Sequence, residues 1–212
     1  SDQIWSEVAR CRAKKPVIAS FSDYAASGGY YIAMGADSIV SGPATLTGSI
    51  GIYGGKMNVR GLLEKPGVSV ETVTRGPRAE MLSPFRAFTP EEAERYERSL
   101  EDFYRVFVGK VADNRGMTPE EVDSVAQGRV WTGLAAEERG LVDALGGFER
   151  ALAMSRAKAG LPEDEELEVE RLPRAHVSLL QSIFDTLFAD EGGDVSERAG
   201  VSEAMRALIA AA

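Results

Sequence analysis

The chain has 212 residues, 44% of them hydrophobic and 27% charged, and a net charge of −9. This balance is typical of one globular domain, or one domain with a small appendage. No run of Lys or Arg exceeds two residues, which argues against nucleic acid as a partner. With one cysteine, Cys11, and one histidine, His176, an internal disulfide is excluded and no metal or other cofactor is expected.

The N-terminal half alternates short apolar runs with helical patterns, which predicts an α/β fold. Helices are predicted at residues 2–13, 28–36 and 57–65. Strands are predicted at residues 16–21, 38–40 and 68–74. The chain begins without Met inside a helical pattern, so we expect a fragment with sequence missing upstream.

The C-terminal half is mainly helical in its pattern. Thr89, Pro90 and two glutamates predict the start of a long helix that reaches about Arg115, and the same signal recurs at Thr118. Further helices are predicted at 133–139, which Gly140 would cap, and at 148–159.

The composition changes after Gly160, so two domains are predicted, residues 1–160 and 161–212. The second begins with an acidic loop and an edge strand at 167–170, followed by amphipathic helices at 176–189 and 196–211. We expect this helical extension to act as a lid or an oligomerisation arm. No apolar run reaches the ~20 residues of a membrane-spanning helix, so this fragment is expected to be soluble.

Ser27 lies in residues 25–33 (AASGGYYIA), between an apolar strand and a helix. Gly28 and Gly29 allow a tight turn, and their N–H groups would lie at the start of the helix, where an oxyanion could be stabilised. Ser27 is therefore a candidate nucleophile. The alternative is that Ser27 only caps the helix, because serine is a preferred N-cap residue.

A serine nucleophile needs a base, and the sequence offers few. His176 lies far beyond the α/β part and is interpreted as a solvated residue. Among the six lysines, Lys110 is expected on a polar helix face, and only Lys56 lies in a loop that could approach a site. Lys56 is also consistent with an ordinary surface lysine.

A second glycine-rich segment, residues 45–51 (TLTGSIG), offers hydroxyl groups and close backbone approach. It could line a substrate cleft, or it could be a tight connection between buried strands. It lacks the Gly-Lys-Ser/Thr ending of a phosphate-binding loop, so nucleotide binding is not expected.

Taken together, these segments resemble the protease IV / signal peptide peptidase A family. The resemblance covers about residues 1–160 and is collinear over 15–19 (KPVIA), 25–33, 36–40 (ADSIV), 45–52, 83–86 (SPFR), 89–92 (TPEE), 126–133 (AQGRVWTG) and 140–143 (GLVD).

The resemblance implies a crotonase/Clp-protease-like α/β spiral and a serine peptidase with a Ser/Lys dyad that degrades cleaved signal peptides. Ser27 matches the nucleophile of the family, and the Gly28 N–H matches an oxyanion donor. The family is anchored to the bacterial cytoplasmic membrane with its catalytic part in the cell envelope. Its members assemble into oligomers with inward-facing active sites.

The sequence departs from the family pattern at two places that concern the catalytic site. The family's lysine base follows the strand matched by 68–74, but the loop here has no lysine, and Arg78 stands near the expected place. Arginine stays protonated and cannot act as the base. The family's Ser-Pro-Gly-Gly segment, which supplies another oxyanion amide, would precede Ser1.

Two hypotheses follow. In the first, the chain is the serine-bearing, C-terminal half of a long-form peptidase, inactive alone, with its lysine supplied by a companion domain or another subunit. In the second, the chain is a catalytically inactive scaffold for oligomer assembly, which Arg78 favours. A third alternative is a crotonase that handles acyl-CoA. The Ser-Gly-Gly-Tyr and Trp131-Thr132-Gly133 segments match the peptidase pattern better than the pattern of such a hydratase.

Overall fold

The computed structural model describes residues 1–162, 165 and 167–172. Residues Ser1–Glu165 form one compact unit, and Glu166–Ala212 fall in a second. The helices are α1 (Asp2–Arg12), α2 (Gly28–Ala33), α3 (Arg60–Glu64), α4 (Pro90–Arg115), α5 (Pro119–Val125), α6 (Gly133–Glu137) and α7 (Phe148–Ala159). The strands are β1 (Ile18–Phe21), β2 (Tyr24–Ala26), β3 (Ser38–Ser41), β4 (Leu46–Gly48), β5 (Val130–Thr132) and β6 (Ala144–Leu145).

The strands form two three-stranded sheets. The first has the order β1-β3-β6 and is parallel throughout, with Ile18 opposite Ser38 and Val40 opposite Ala144. The second has the order β2-β4-β5, with β2 parallel and β5 antiparallel to the central strand β4. This alternation of helices with mostly parallel strands confirms the α/β class.

The core is built where α2, β3, α4 and α5 meet. Tyr30 is fully buried, and its hydroxyl donates to the Leu141 carbonyl at 2.9 Å, which satisfies its polar atom. The other large, fully buried apolar side chains are Met34, Ile39, Ile50, Leu141, Val40, Val111 and Val122. Tyr30 and Met34 anchor one face of α2 in the core, so the helix that follows Ser27 has a fixed position.

The long helix α4 begins as its sequence predicts. The Thr89 hydroxyl accepts from Glu92 N at 3.2 Å, and the Glu92 carboxylate accepts from Thr89 N at 3.0 Å, which completes a capping box. The helix ends at Arg115 and is capped by Gly116, which adopts the left-handed conformation with φ 65°.

Several sequence predictions are corrected. No strand forms at 68–74, where Val68 is 48% and Val73 97% exposed, because no other described strand lies beside this segment to accept its backbone hydrogen bonds. Residues 167–170 likewise form no strand. Strands β2, β4, β5 and β6 were not predicted. The predicted helices at 176–189 and 196–211, and His176, lie outside the described residues.

Candidate active site

Ser27 occupies the turn between β2 and α2 with φ 51° and ψ −114°. Its N–H donates to the Gly48 carbonyl at 2.8 Å, and its carbonyl accepts from Tyr31 N at 2.8 Å. Its side chain makes no capping hydrogen bond to α2. Ser27 therefore stands at the cap position without performing the side-chain function of a cap, and its half-buried hydroxyl remains available.

Backbone strain is concentrated around this turn. Ser27, Ser49 and Gln127 are the non-glycine residues with positive φ in the described part of the chain, at 51°, 49° and 57°. They follow β2, follow β4 and precede β5, so all three lie at one end of the second sheet. Such conformations cost about 1–3 kcal/mol each and tend to occur at functional sites.

Hydrogen bonds between the loops hold this end of the sheet together. Ser49 N donates to the Arg129 carbonyl at 2.7 Å, and Gly128 N donates to the Ile50 carbonyl at 2.9 Å. A Cβ added to Gly51 would lie 2.7 Å from the Gly128 backbone, so the two loops can approach this closely because residue 51 is glycine.

A cavity of about 260 Å³ opens beside Ser27. Its lining is largely apolar and aromatic, and it comprises Ser27, Gly28, Tyr31, Gly51, Ile52, Tyr53, Phe103 and Phe107. The Tyr31 and Phe107 rings contact each other, with centroids 4.8 Å apart. Such a lining suits a bound apolar side chain rather than a charged one.

Gly28 is the first residue of α2 and lies against Ser1, whose Oγ would be 2.8 Å from a Cβ added at this glycine. The first N–H groups of a helix have no acceptor within the helix. The Gly28 amide is therefore next to the nucleophile candidate and suitable for an oxyanion.

The first part of the glycine-rich segment is a strand of the second sheet rather than a connection between strands, and its last residue, Gly51, lies at the cavity beside Ser27. Residues Leu46–Gly48 form β4, and the buried Thr47 hydroxyl donates to the Ala25 carbonyl at 2.7 Å, which braces the neighbouring strand β2. Beyond the strand, Gly51 and Ile52 line the cavity. The hydroxyl of Thr47 is thus structural, while the following residues form the cleft.

Two of the lysines, Lys56 and Lys110, make contacts away from Ser27. Lys56 donates to the Met81 carbonyl at 2.7 Å and lies 4.2 Å from the centre of the Phe88 ring. Lys110 is not on a solvated polar face as predicted: its side chain is only 21% exposed, because it packs on Trp5. All six lysines are in the described residues, and none of them hydrogen-bonds Ser27 there.

Arg78, in the loop where the sequence resemblance led us to expect a lysine base, is 52% exposed and lies 3.7 Å from the Glu91 carboxylate. This ion pair at the start of α4 is a surface contact. Neither partner lines the cavity beside Ser27.

The aromatic wall of the cavity was not identified from the sequence. Phe103 and Phe107 are four residues apart on α4, which places them on one apolar face of the helix, yet Phe103 is 64% exposed while Phe107 is buried. An i, i+4 aromatic pair predicts a common helix face but does not distinguish a core from a cleft.

Two further properties of the described residues concern cofactors and membranes. No group of three or more His, Cys, Asp or Glu side chains in this part of the chain is arranged to hold a metal ion. No helix there is both long enough and apolar enough to cross a bilayer.

Comparison with known proteins identifies relatives of the chain. It is 46% identical to the chloroplastic serine protease SPPA of Arabidopsis thaliana over 84% of its length. It is 39% identical to Protease 4 of Salmonella typhi over its whole length. It spans 27% and 32% of these two relatives.

A solved structure, the 1510-N membrane-bound stomatin-specific protease with a substrate peptide, is 17% identical to this chain. The match has a TM-score of 0.47 and covers 88% of this chain and 77% of the other. The model of peptidase family S49 matches residues 9–162. The chain belongs to peptidase family S49.

Proposed function

We propose that this chain carries the nucleophile of a serine endopeptidase that degrades cleaved signal peptides. The observation that carries the proposal is the strained Ser27 turn, whose uncapped hydroxyl lies at an apolar cavity. Membership of a peptidase family and relatives named as proteases support it.

In the proposed reaction, Ser27 Oγ attacks the peptide carbonyl while a base removes its proton. The Gly28 N–H donates to the oxyanion that forms on the carbonyl oxygen. As the intermediate collapses, the C–N bond breaks and the protonated base gives its proton to the leaving amine, which leaves an acyl-enzyme. Water then hydrolyses this ester, with the same base removing a proton from the water and returning it to Ser27 Oγ.

The general base in this proposal is a lysine from outside these 212 residues, on a companion domain or another subunit. The contacts of Lys56 and Lys110 support this assignment, since each ammonium is already held by other groups. A lysine must be neutral to act as a base, which requires a site that lowers its pKa by burial.

The proposed substrates are peptides with small or apolar side chains, such as the cores of signal peptides. The cavity supports this class, because Ile52, Tyr53, Phe103 and Phe107 offer apolar surface next to the nucleophile. We further propose attachment of the whole protein to the cytoplasmic membrane of a bacterium, with its catalytic part in the cell envelope.

Assembly into an oligomer, or with a lysine-bearing domain, is part of the same proposal. Large apolar side chains on the segment from Tyr53 to Leu82 support it, because Tyr53 is 97%, Met57 79% and Val73 97% exposed. Exposed apolar groups in this density are typical of surfaces that are covered in an assembly.

The alternative is a scaffold domain that has lost catalysis. It is favoured by Arg78, which lies near the place where the resemblance predicts a lysine and pairs with Glu91.

Labelling with a fluorophosphonate distinguishes the two functions. The chain is treated alone and together with the lysine-bearing half, with Ser27→Ala as the control. We expect labelling of Ser27 only when the other half is present, and none in the variant. Absence of labelling in both samples would exclude the peptidase and favour the scaffold.

A further inference from the structure

A cluster of four side chains lies between α1, α2 and α4, outside the proposed catalytic groups. Lys110 Nζ is 2.7 Å from Asp2 Oδ1, and the Tyr31 hydroxyl donates to the same oxygen at 2.7 Å. Lys110 Nζ also lies 3.3 Å from the centre of the Trp5 ring, a cation–π contact. We call Asp2, Trp5, Tyr31 and Lys110 the Asp2 cluster.

Tyr31 belongs both to the Asp2 cluster and to the candidate active site. Its ring lines the cavity beside Ser27 and contacts Phe107. Its backbone N–H donates to the Ser27 carbonyl at 2.8 Å. The position of this one residue therefore affects both the shape of the cavity and the backbone of the nucleophile.

The charges of the cluster suit a fixed arrangement. Hydrogen bonds from Lys110 and Tyr31 lower the pKa of Asp2, so its carboxylate stays ionised at neutral pH. Burial and the hydrogen bond to Asp2 raise the pKa of Tyr31, so its hydroxyl remains a donor. Trp5 contacts Tyr31 edge to face, with centroids 6.5 Å apart, and closes the cluster from the side of α1.

We propose that Lys110 and Asp2 are positioning residues, which hold the Tyr31 ring so that the cavity beside Ser27 selects the size of the bound apolar side chain. This inference rests on the proposed peptidase function. Neither residue touches the peptide bond. Both act through Tyr31, which forms the wall that the side chain contacts.

The test measures selectivity in the protein assembled with its lysine-bearing half. Two peptides are compared that differ only in alanine or leucine before the cleaved bond. In Lys110→Met we expect KM for the leucine peptide to rise, so that the ratio of kcat/KM between the peptides changes about tenfold. The kcat for the alanine peptide should change little, since its side chain does not reach the displaced ring.

The controls separate positioning from general destabilisation. Arg98→Met removes a cation from the same helix, where Arg98 pairs with Glu94 on the surface, and should leave the ratio unchanged. Lys110→Arg keeps the charge and the ring contact and should restore most of the selectivity. Asp2→Asn should act like Lys110→Met, and the double variant should be no worse than either.

Hydrogen exchange of the Tyr31 amide gives a readout that needs no turnover. We expect faster exchange in Lys110→Met than in Arg98→Met, because the Tyr31–Ser27 hydrogen bond is no longer supported. Unchanged exchange together with unchanged selectivity would overturn the positioning role. If the unmodified protein cleaves neither peptide but the Tyr31 amide exchanges faster in Lys110→Met, the peptidase function and the selectivity claim are overturned. The contact between Lys110 and Tyr31 through Asp2 would then still stand.

Discussion

At the scale of single residues, Ser27 combines an unfavourable backbone with an unused hydroxyl. A positive φ is uncommon for serine, and glycine adopts it at lower cost. Its two backbone hydrogen bonds, to Gly48 and from Tyr31, maintain this conformation. A serine retained in a conformation that suits glycine indicates that its side chain has a use other than stability.

Replacing Ser27 tests this strain separately from chemistry. We expect Ser27→Gly to have a free energy of unfolding about 1 kcal/mol higher than Ser27→Ala, because only glycine relieves the positive φ. Urea denaturation monitored by circular dichroism measures the difference. Both variants should lose fluorophosphonate labelling. Equal stabilities would show that the turn is not strained in solution.

At the scale of elements, the long helix α4 contributes to both the core and the cavity. Phe107, Val108 and Val111 are buried against the core, while Phe103 extends the same face to the cavity beside Ser27. The start of the helix is fixed by the capping box and by Arg86, whose guanidinium binds both oxygens of the Glu92 carboxylate at 2.6 Å.

The start of α4 should be sensitive to acid. Hydrogen bonds from Arg86 and Thr89 lower the pKa of Glu92 from 4.5 to about 2. Because the folded-state pKa is lowered, the stabilisation is present above the unfolded-state pKa and is lost as pH falls from 4.5 to about 2. We expect Glu92→Gln to flatten the fall in unfolding free energy over this range.

A matched control is Glu121→Gln, at the capping box of α5. There the glutamate accepts from Thr118 N, and no arginine in the described residues pairs with it. Urea denaturation at neutral and acidic pH should show a smaller change in acid sensitivity for this variant. An identical acid profile for both variants would contradict the role of the Arg86–Glu92 pair.

At the scale of the whole compact unit, Asp143 connects α4 to the first sheet. Arg115 donates to both oxygens of Asp143, at 2.7 and 2.9 Å, and its Nε donates to the Gly140 carbonyl. Asp143 also accepts from Ile39 N at 2.7 Å, in the central strand β3. The end of α4 is therefore tied to the strand that forms the middle of the core.

Loss of the contact between Arg115 and Asp143 should lower the stability of the whole compact unit. The Arg115 side chain is 8% exposed and the Asp143 side chain 32%, so Arg115→Met removes a buried guanidinium and its charge-assisted hydrogen bonds to a partly exposed carboxylate. This should lower the unfolding free energy by about 2 kcal/mol. Arg98→Met, in an exposed pair on the same helix, should change it by less than about 0.5 kcal/mol. Equal losses in urea denaturation would show that the Asp143 link is unimportant.

Elements specified by local interactions were predicted more accurately from the sequence than elements that depend on contacts between distant residues. Helices α1, α4 and α7 were predicted well, because 3.6-residue periodicity and, for α4 and α7, a glycine after the last turn are local signals. The three-residue strands β2, β4 and β5 carry no such signal, since their hydrogen bonds go to residues distant along the chain. Valines alternate with other residues at 68–74, which is typical of a strand, but no partner strand lies beside this segment in the described residues.

The sequence alone determined the α/β class, the candidate nucleophile Ser27, its glycine neighbours and the lack of a lysine in the loop that carries Arg78. Such features depend on residue type and order. Tertiary structure alone decided that β4 braces the Ser27 turn, that Phe103 lines a cavity and that Lys110 binds Asp2. These contacts join residues far apart in the chain, and their geometry depends on how the sheets and helices pack.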